Sequence, residues 1–514
     1  MSEVSKAPAP KTGGVTYTHA VEGYFEKRQL KRSAGFWGLW GIGVAAVISG
    51  DFSGWNFGIG EAGWGGLLIA TGVIIVMYFG MLFSIGEMSA AMPHTGGAYS
   101  FARSAMGPWG GFITGLAETI EYVFTTGVIV YFSGGYANAV TDEAIGLDLS
   151  DNMWIWWIVL YVAFVGLNTV GAETSFKFAI TVAVLSIGIL VLFAVLALAN
   201  GAIDFGNLNN ITPDPGNSSF LPFGWEGVLY AMPFAVWFFL GIEELPLAAE
   251  ESHDPAKDIP RAGIVGLITL VACATLVLFL NPAVTGSAAI GDADEPLLDG
   301  FREFLPSGWA TVLSAFALIG LLASLQGIMF AYGRNMYSLS RAGYYPKFLS
   351  LTGERQTPWV SLVVGAVIGF VALVAVDQFE SAGDIVLYIA VWGAVIAYIL
   401  QMVSYVLLRQ KYPNAVRPYV SPTGNAGAIV AGVIAALTFI GILYNEDYRP
   451  AIVAIAVVFA VGLALFAAYG RHRLILSPEE EYAMSGGAHR DPAVEHYGAE
   501  LEAELPPEDF TPDE

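Results

Sequence analysis

The sequence runs as a series of apolar blocks, each about twenty residues or longer, the length that lets a helix cross a hydrocarbon core of ~30 Å. Twelve blocks are predicted to span: 36–59, 66–91, 107–138, 153–171, 176–199, 226–249, 261–281, 308–333, 358–376, 384–408, 424–444 and 449–470. Of the 514 residues, 55% are hydrophobic and 13% charged, an apolar excess too large for a soluble chain. The expected class is therefore an all-α polytopic membrane protein with 12 transmembrane helices. The first 33 residues carry Pro, Lys and Thr without an apolar h-region, so no signal peptide is expected. The single cysteine, Cys273, forms no intrachain disulfide, and no Cys/His cluster has metal-ligand spacing.

The basic residues orient the spans. With the N-terminus placed inside, 20 of the 22 Lys and Arg fall on that side, and only Arg302 and Arg449 fall outside. The predicted outer loops are acidic instead, with Asp142, Glu143, Asp148 and Asp151 in one and Asp292, Asp294, Glu295 and Asp299 in another. Both termini are expected to be cytoplasmic. Part of the net charge of −23 comes from residues 471–514, which hold 12 acidic residues against three arginines. That tail lacks apolar periodicity and reads as mostly disordered. No nucleic-acid partner is read from the charge.

Two spans are interrupted. In the first, Ile48-Ser49-Gly50-Asp51-Phe52-Ser53-Gly54 sets two glycines, two serines and an aspartate between apolar flanks. Glycine inside a helix costs about 1 kcal/mol relative to alanine, and a carboxylate at bilayer depth about 2.5–3.5 kcal/mol. In the sixth, Gly241 and Pro246 bracket Glu243 and Glu244. Irregular backbone at membrane depth is tolerated where it lines a cavity. Paired breaks at corresponding positions of two halves point to an inverted-repeat secondary transporter. The expected organisation is a cytoplasmic tail (1–35), a first repeat (36–199), a second repeat (226–408), two further helices (424–470) and the acidic tail (471–514).

The candidate substrate-binding residues cluster at these breaks: Ser49, Gly50, Asp51, Glu121, Tyr122, Trp237, Gly241 and Glu243. Asp51 offers a fixed negative charge to a small cation beside the first break and is the first choice to hold an ammonium, ahead of Glu121 or Glu243; a short acid there also suits capping of the following half-helix. Glu118, Glu121, Tyr122 and Thr125 share one helix face by their spacing. The plainer reading of Glu118 is a group near the cytoplasmic third, solvated or paired. Of the adjacent Glu243 and Glu244, one could complete a site and the other hold the unwound backbone. Trp237 could cover a cationic ligand with its ring face, worth about 0.5–2 kcal/mol, although ordinary packing suits a lone Trp equally. No GxxxxGK[ST], GxSxG or HExxH pattern occurs, so nucleotide-driven transport and hydrolysis are unsupported and no cofactor is expected.

Several stretches resemble the amino acid–polyamine–organocation superfamily. They are Glu87-Met88-Ser89-Ala90-Ala91-Met92-Pro93-His94-Thr95-Gly96-Gly97-Ala98-Tyr99 with Gly107-Pro108-Trp109-Gly110-Gly111-Phe112, Gly241-Ile242-Glu243 with Ala248-Ala249-Glu250-Glu251-Ser252, and Ser340-Arg341-Ala342-Gly343-Tyr344-Tyr345-Pro346. The resemblance covers roughly residues 34–470. It implies a five-plus-five inverted repeat (LeuT-like) with two added helices, and alternating access around the broken first and sixth spans. In that superfamily the first break usually reads Gly-Ser-Gly, an apolar residue, then Phe, and its amides hold an amino-acid carboxylate. Here Asp51 stands at the apolar position. Two like charges 4 Å apart repel by about 4 kcal/mol at an effective dielectric near 20. A substrate with an ammonium and no carboxylate removes the conflict.

The first and third spans, with Gly54-Trp55-Asn56-Phe57 and Gly115-Leu116-Ala117-Glu118, resemble the ethanolamine permease branch in particular. The expectation is a multi-pass uptake carrier of the cytoplasmic membrane, with lipid around it and a small amine as substrate. A permease for neutral or cationic amino acids is the alternative, and a channel or non-transporting sensor is a second class. Coupling stays open between proton symport, sodium symport, exchange and uniport: where some members carry a lysine in the fifth span, this chain has Ser186.

Overall fold

The computed structural model describes residues 11–12, 14–16, 30, 32–377 and 382–475. The expectation of a disordered tail lies outside these residues, apart from 471–475. Fourteen α-helices are described: α1 (Phe36–Val47), α2 (Phe57–Ala91), α3 (Gly97–Ile145), α4 (Trp154–Val170), α5 (Ala172–Ala199), α6 (Gly224–Trp237), α7 (Pro255–Thr285), α8 (Ser287–Ile290), α9 (Pro296–Arg302), α10 (Ser307–Arg341), α11 (Trp359–Val376), α12 (Ala382–Lys411), α13 (Gly424–Tyr444) and α14 (Arg449–Ala468). The strand pair β1 (Lys11–Thr12) and β2 (Val15–Thr16) precedes them.

Ten helical stretches among the described residues are long and apolar enough to cross a membrane. Two shorter apolar ones, Phe36–Asp51 and Trp154–Val170, accompany them. The first falls short because it stops at the break: α1 ends at Val47 and a 3₁₀ turn takes over from Ile48 to Asp51. The chain becomes α-helical again at Phe57, then kinks at Gly63 (φ 70°, ψ 170°) into the next span, so α2 holds both pieces. A second kink, at Gly107 ahead of Pro108, sets a short leading segment of α3 apart from its long span.

The sixth apolar stretch, Gly224–Glu251, is 89% buried over its most apolar window, and those of α3 and α12 are each 78% buried, whereas the last stretch is 17% buried. The broken spans thus lie at the centre and α14 at the periphery. α1 packs on α5, α7 and α10; α3 packs on α10 and α12. The outer faces carry exposed apolar ridges at helical spacing, such as Val363, Val367, Val371 and Val374 on α11 and Val453, Val457, Val461 and Leu465 on α14. In water such ridges would be an aggregation liability; against lipid tails they are the compatible surface.

Charged pairs tie the helix ends together. Glu251 takes two bonds from Arg334 (2.8 and 3.2 Å), with both side chains fully buried and the guanidinium 3.5 Å from the Phe330 ring centroid. Arg341 bonds Glu250 and the Tyr337 hydroxyl. Glu87 accepts from Arg409, Tyr405 and the Ser421 amide, joining α2, α12 and the approach to α13. Lys177, by contrast, pairs with Glu173 on the exposed surface.

Candidate functional site

Both interruptions are local consequences of sequence, and they touch. At Gly50 an added Cβ would stand 2.5 Å from the Trp237 carbonyl oxygen and 3.2 Å from Phe238 Cα. Only a hydrogen side chain lets the two backbones approach this closely. Gly241 sits at φ +110°, a conformation L side chains rarely adopt, and ends the α6 segment before a 3₁₀ stretch from Ile242 to Glu251. The Trp237 indole N–H donates to the Ser53 carbonyl (2.9 Å), linking the second break to the first. Ser324 on α10 holds the first break from behind: its hydroxyl donates to the Ala45 carbonyl (2.7 Å) and accepts from the Ser49 amide (2.8 Å).

Beyond the first break, the Ser53 hydroxyl donates to the Asp294 carbonyl (2.7 Å), and Asn56 Nδ2 donates to the Ile290 and Ala293 carbonyls (2.8 and 2.7 Å). Tyr136 on α3 donates to the Phe52 carbonyl (3.1 Å). These bonds close the acidic end of the bundle over the break. At the Arg-rich end, the Ser33 and Ala34 amides donate to the Glu251 carbonyl, and the His253 amide donates to the Ala34 carbonyl. The chain leading into α1 is thereby stitched to the chain leaving the second break.

The carboxylates separate into two groups. Glu118, Glu121 and Tyr122 share one face of α3, and this face looks onto the second break. The Glu121 and Glu243 carboxyl groups lie within hydrogen-bonding reach of one another. Tyr398 on α12 donates to Glu121 Oε1 (3.1 Å), and the Tyr78 hydroxyl on α2 meets the Tyr398 hydroxyl at 3.1 Å. The Gly241 amide is shared by both oxygens of Glu243, each at 3.2 Å. Tyr122 donates to Glu118 Oε1 (3.4 Å). Glu118 is 2% exposed and therefore not solvated. Glu244 is buried without a hydrogen-bond partner among the described residues and feels the charges of both Glu243 and Arg334.

Asp51 stands apart. It is buried and neither carboxylate oxygen has a hydrogen-bond partner among the described residues. The group that feels its charge is Cys273 on α7. The structure places Ser49, Gly50 and Asp51 at the first break and brings Glu121 and Tyr122 of α3 to Gly241 and Glu243 at the second, with Trp237 bonded across to the first. The tyrosines Tyr78 and Tyr398 escaped the sequence reading. Tyr78 is the lone Tyr of its apolar block and Tyr398 shares its block with Tyr388 and Tyr405, and a Tyr in such a block carries no signal that separates a site hydroxyl from an interfacial anchor.

The arrangement brings buried carboxyl oxygens together as acceptors, chemistry that suits a cation. The sequence model of the amino acid permease family ("Amino acid permease") matches residues 38–470. The chain belongs to the amino acid permease family. An uncharacterized transporter of Rhizobium meliloti (strain 1021) is 26% identical over 77% of this chain and 83% of its own. The branched-chain amino acid permease BcaP of Bacillus subtilis (strain 168) is 25% identical over 87% and 94%. A probable GABA permease of Pseudomonas aeruginosa is 26% identical over 86% and 93%. The chain is thus a membrane transporter of this family.

Proposed function

We propose that this permease takes up ethanolamine or a close small amine across the cytoplasmic membrane by alternating access around the two breaks. The observation that carries the reading is the buried Glu121–Glu243 pair, whose hydrogen-bond donors are a tyrosine hydroxyl and a backbone amide. Arg334, the cation whose field reaches the adjoining Glu244, is bound to Glu251. Such a place attracts an ammonium and repels a carboxylate. In this reading Glu121 and Glu243 hold the ammonium, and Tyr122 lines the site. Trp237 covers it, and the backbone at Ser49, Gly50 and Gly241 meets the hydroxyl. Asp51 acts on the first break from the α7 side and makes it hostile to a substrate carboxylate.

The same reading includes twelve spans in a five-plus-five inverted repeat (LeuT-like) with two added helices, and both termini in the cytoplasm. The breaks in Ile48–Asp51 and Ile242–Glu251 and the positions of the Lys and Arg residues support it. The second reading is an amino acid permease for neutral or cationic substrates. The names of the relatives, a branched-chain amino acid permease and a probable GABA permease, favour it. Counterflow in proteoliposomes separates these from a channel or a sensor. Unlabelled ethanolamine inside should accelerate entry of labelled ethanolamine several-fold. Entry unaffected by internal substrate would sink the carrier reading.

A further inference from the structure

Two carboxylates within bonding reach of one another contain no donor between them. Read as a pair of anions, Glu121 and Glu243 leave Glu121 Oε2 without a hydrogen-bond partner among the described residues, on a side chain with no exposure. Two unit charges 4 Å apart repel by about 4 kcal/mol at an effective dielectric near 20. One proton between them removes the repulsion and supplies the missing donor. An ammonium can do the same, because its three N–H groups can bridge both carboxyls.

The groups that face the pair leave it to a mobile cation. From α3 come Glu118 and the Tyr122 hydroxyl; from α2 and α12 come the hydroxyls of Tyr78 and Tyr398. From the unwound stretch comes Glu244, with Arg334 of α10 behind it already bound to Glu251. Asp51 is on the far side of the first break, toward α7.

We infer that the Glu121–Glu243 pair is the proton site of the carrier, and that a proton and the substrate ammonium occupy it alternately. The inference rests on the amine site proposed above. The balance is simple: R–NH₃⁺ arrives as one H⁺ leaves, the pair goes from one negative charge to two, and the occupied site, pair plus bound cation, keeps one net negative charge throughout. Over a cycle the amine cation moves one way and a proton the other. No net charge crosses, and the result equals movement of the neutral amine. Tyr398 is a positioning residue here: its hydroxyl donates to Glu121 Oε1 (3.1 Å) and so orients the carboxyl that meets the two competing cations.

The test uses the full-length protein in proteoliposomes with a pH dye in the lumen, potassium and valinomycin fixing the potential, and protein-free vesicles to subtract leak. Labelled ethanolamine added outside should alkalinise the lumen by about one proton per amine, at a rate indifferent to the imposed potential. Its apparent KM should rise about tenfold per unit fall in external pH once the pair is protonated. Tyr398→Phe should move that pH profile about one unit toward alkaline pH, as expected for loss of one hydrogen bond to a carboxylate. Net uptake of labelled ethanolamine into vesicles free of internal amine, with an unmoved or acidified lumen, would overturn the proton site and leave the substrate reading intact. A Tyr398→Phe profile superimposed on the wild type would overturn it too. Absent ethanolamine counterflow together with leucine counterflow would overturn the substrate reading instead, and the lumen pH recorded with leucine then decides the proton site by the same criterion.

Discussion

At the scale of the residue, three side chains decide what the centre can do. Gly241 permits the backbone to turn at φ +110° and packs against α10, where an added Cβ would lie 2.8 Å from Ile328 Cδ1. Gly241→Ala should lower stability by about 1–2 kcal/mol from the backbone alone. A melting temperature in detergent equal to the wild type would show that the break does not need this conformation. Glu243 holds the turn by accepting the Gly241 amide and, in the proposed mechanism, also faces the ammonium through its neighbour Glu121. Asp51 has no bonded partner, so its influence is through charge. Asp51→Asn should relax discrimination against carboxylates: the ratio of inhibition constants for alanine and ethanolamine should fall about tenfold, the equivalent of ~1.4 kcal/mol. A ratio unchanged in the variant would remove Asp51 from specificity.

At the scale of the element, the 3₁₀ stretch Ile242–Glu251 carries both the site and its lock. Its first residues face α3, and its last carboxylate is bound by Arg334 of α10 with no solvent access. Glu251→Gln leaves a buried guanidinium with its charge uncompensated, and loss of about 3–5 kcal/mol is expected. Thermal unfolding in detergent would reveal it, and a shift of less than a degree would contradict a structural role for the pair. Much of this architecture was legible in the sequence. The apolar blocks marked where the helices lie, since length against a bilayer is a strong constraint, but not all their ends: α3 runs on to Ile145 and α10 to Arg341, past the blocks that stop at 138 and 333. The breaks were visible because Gly, Pro and carboxylates are each unfavourable there. The pairing of Glu121 with Glu243 was not, because helix spacing fixes which residues share a face of α3 and says nothing about which other helix that face meets. Asp51 drew attention by its cost, yet its direction toward α7 depends on the twist of a four-residue turn.

At the scale of the whole molecule, the bundle is centred on two touching breaks and closed at both ends, by backbone stitching near Glu251 and by the Ser53 and Asn56 bonds near Asp294. The loop at the acidic end is sensitive to pH. Burial first, then the charges of Asp294 and Asp299, push Glu295 up to about 7 against the opposing pull of Arg302. The folded state therefore holds this proton more tightly than the unfolded chain. Its contribution to stability is complete below about pH 4.5, the ordinary glutamate value, and is lost as pH rises through about 7. Melting temperatures at pH 5 and 8 should differ less in Glu295→Gln than in the wild type, and equal differences would contradict the assignment. The central claim is that the buried carboxyls select an ammonium without a carboxylate. Competition against labelled ethanolamine in proteoliposomes tests it most directly. Small amines such as propanolamine should displace the label at concentrations close to those of ethanolamine itself, while alanine, leucine, GABA and arginine should require at least tenfold more. Displacement by any of those four as effective as that by ethanolamine would contradict the account.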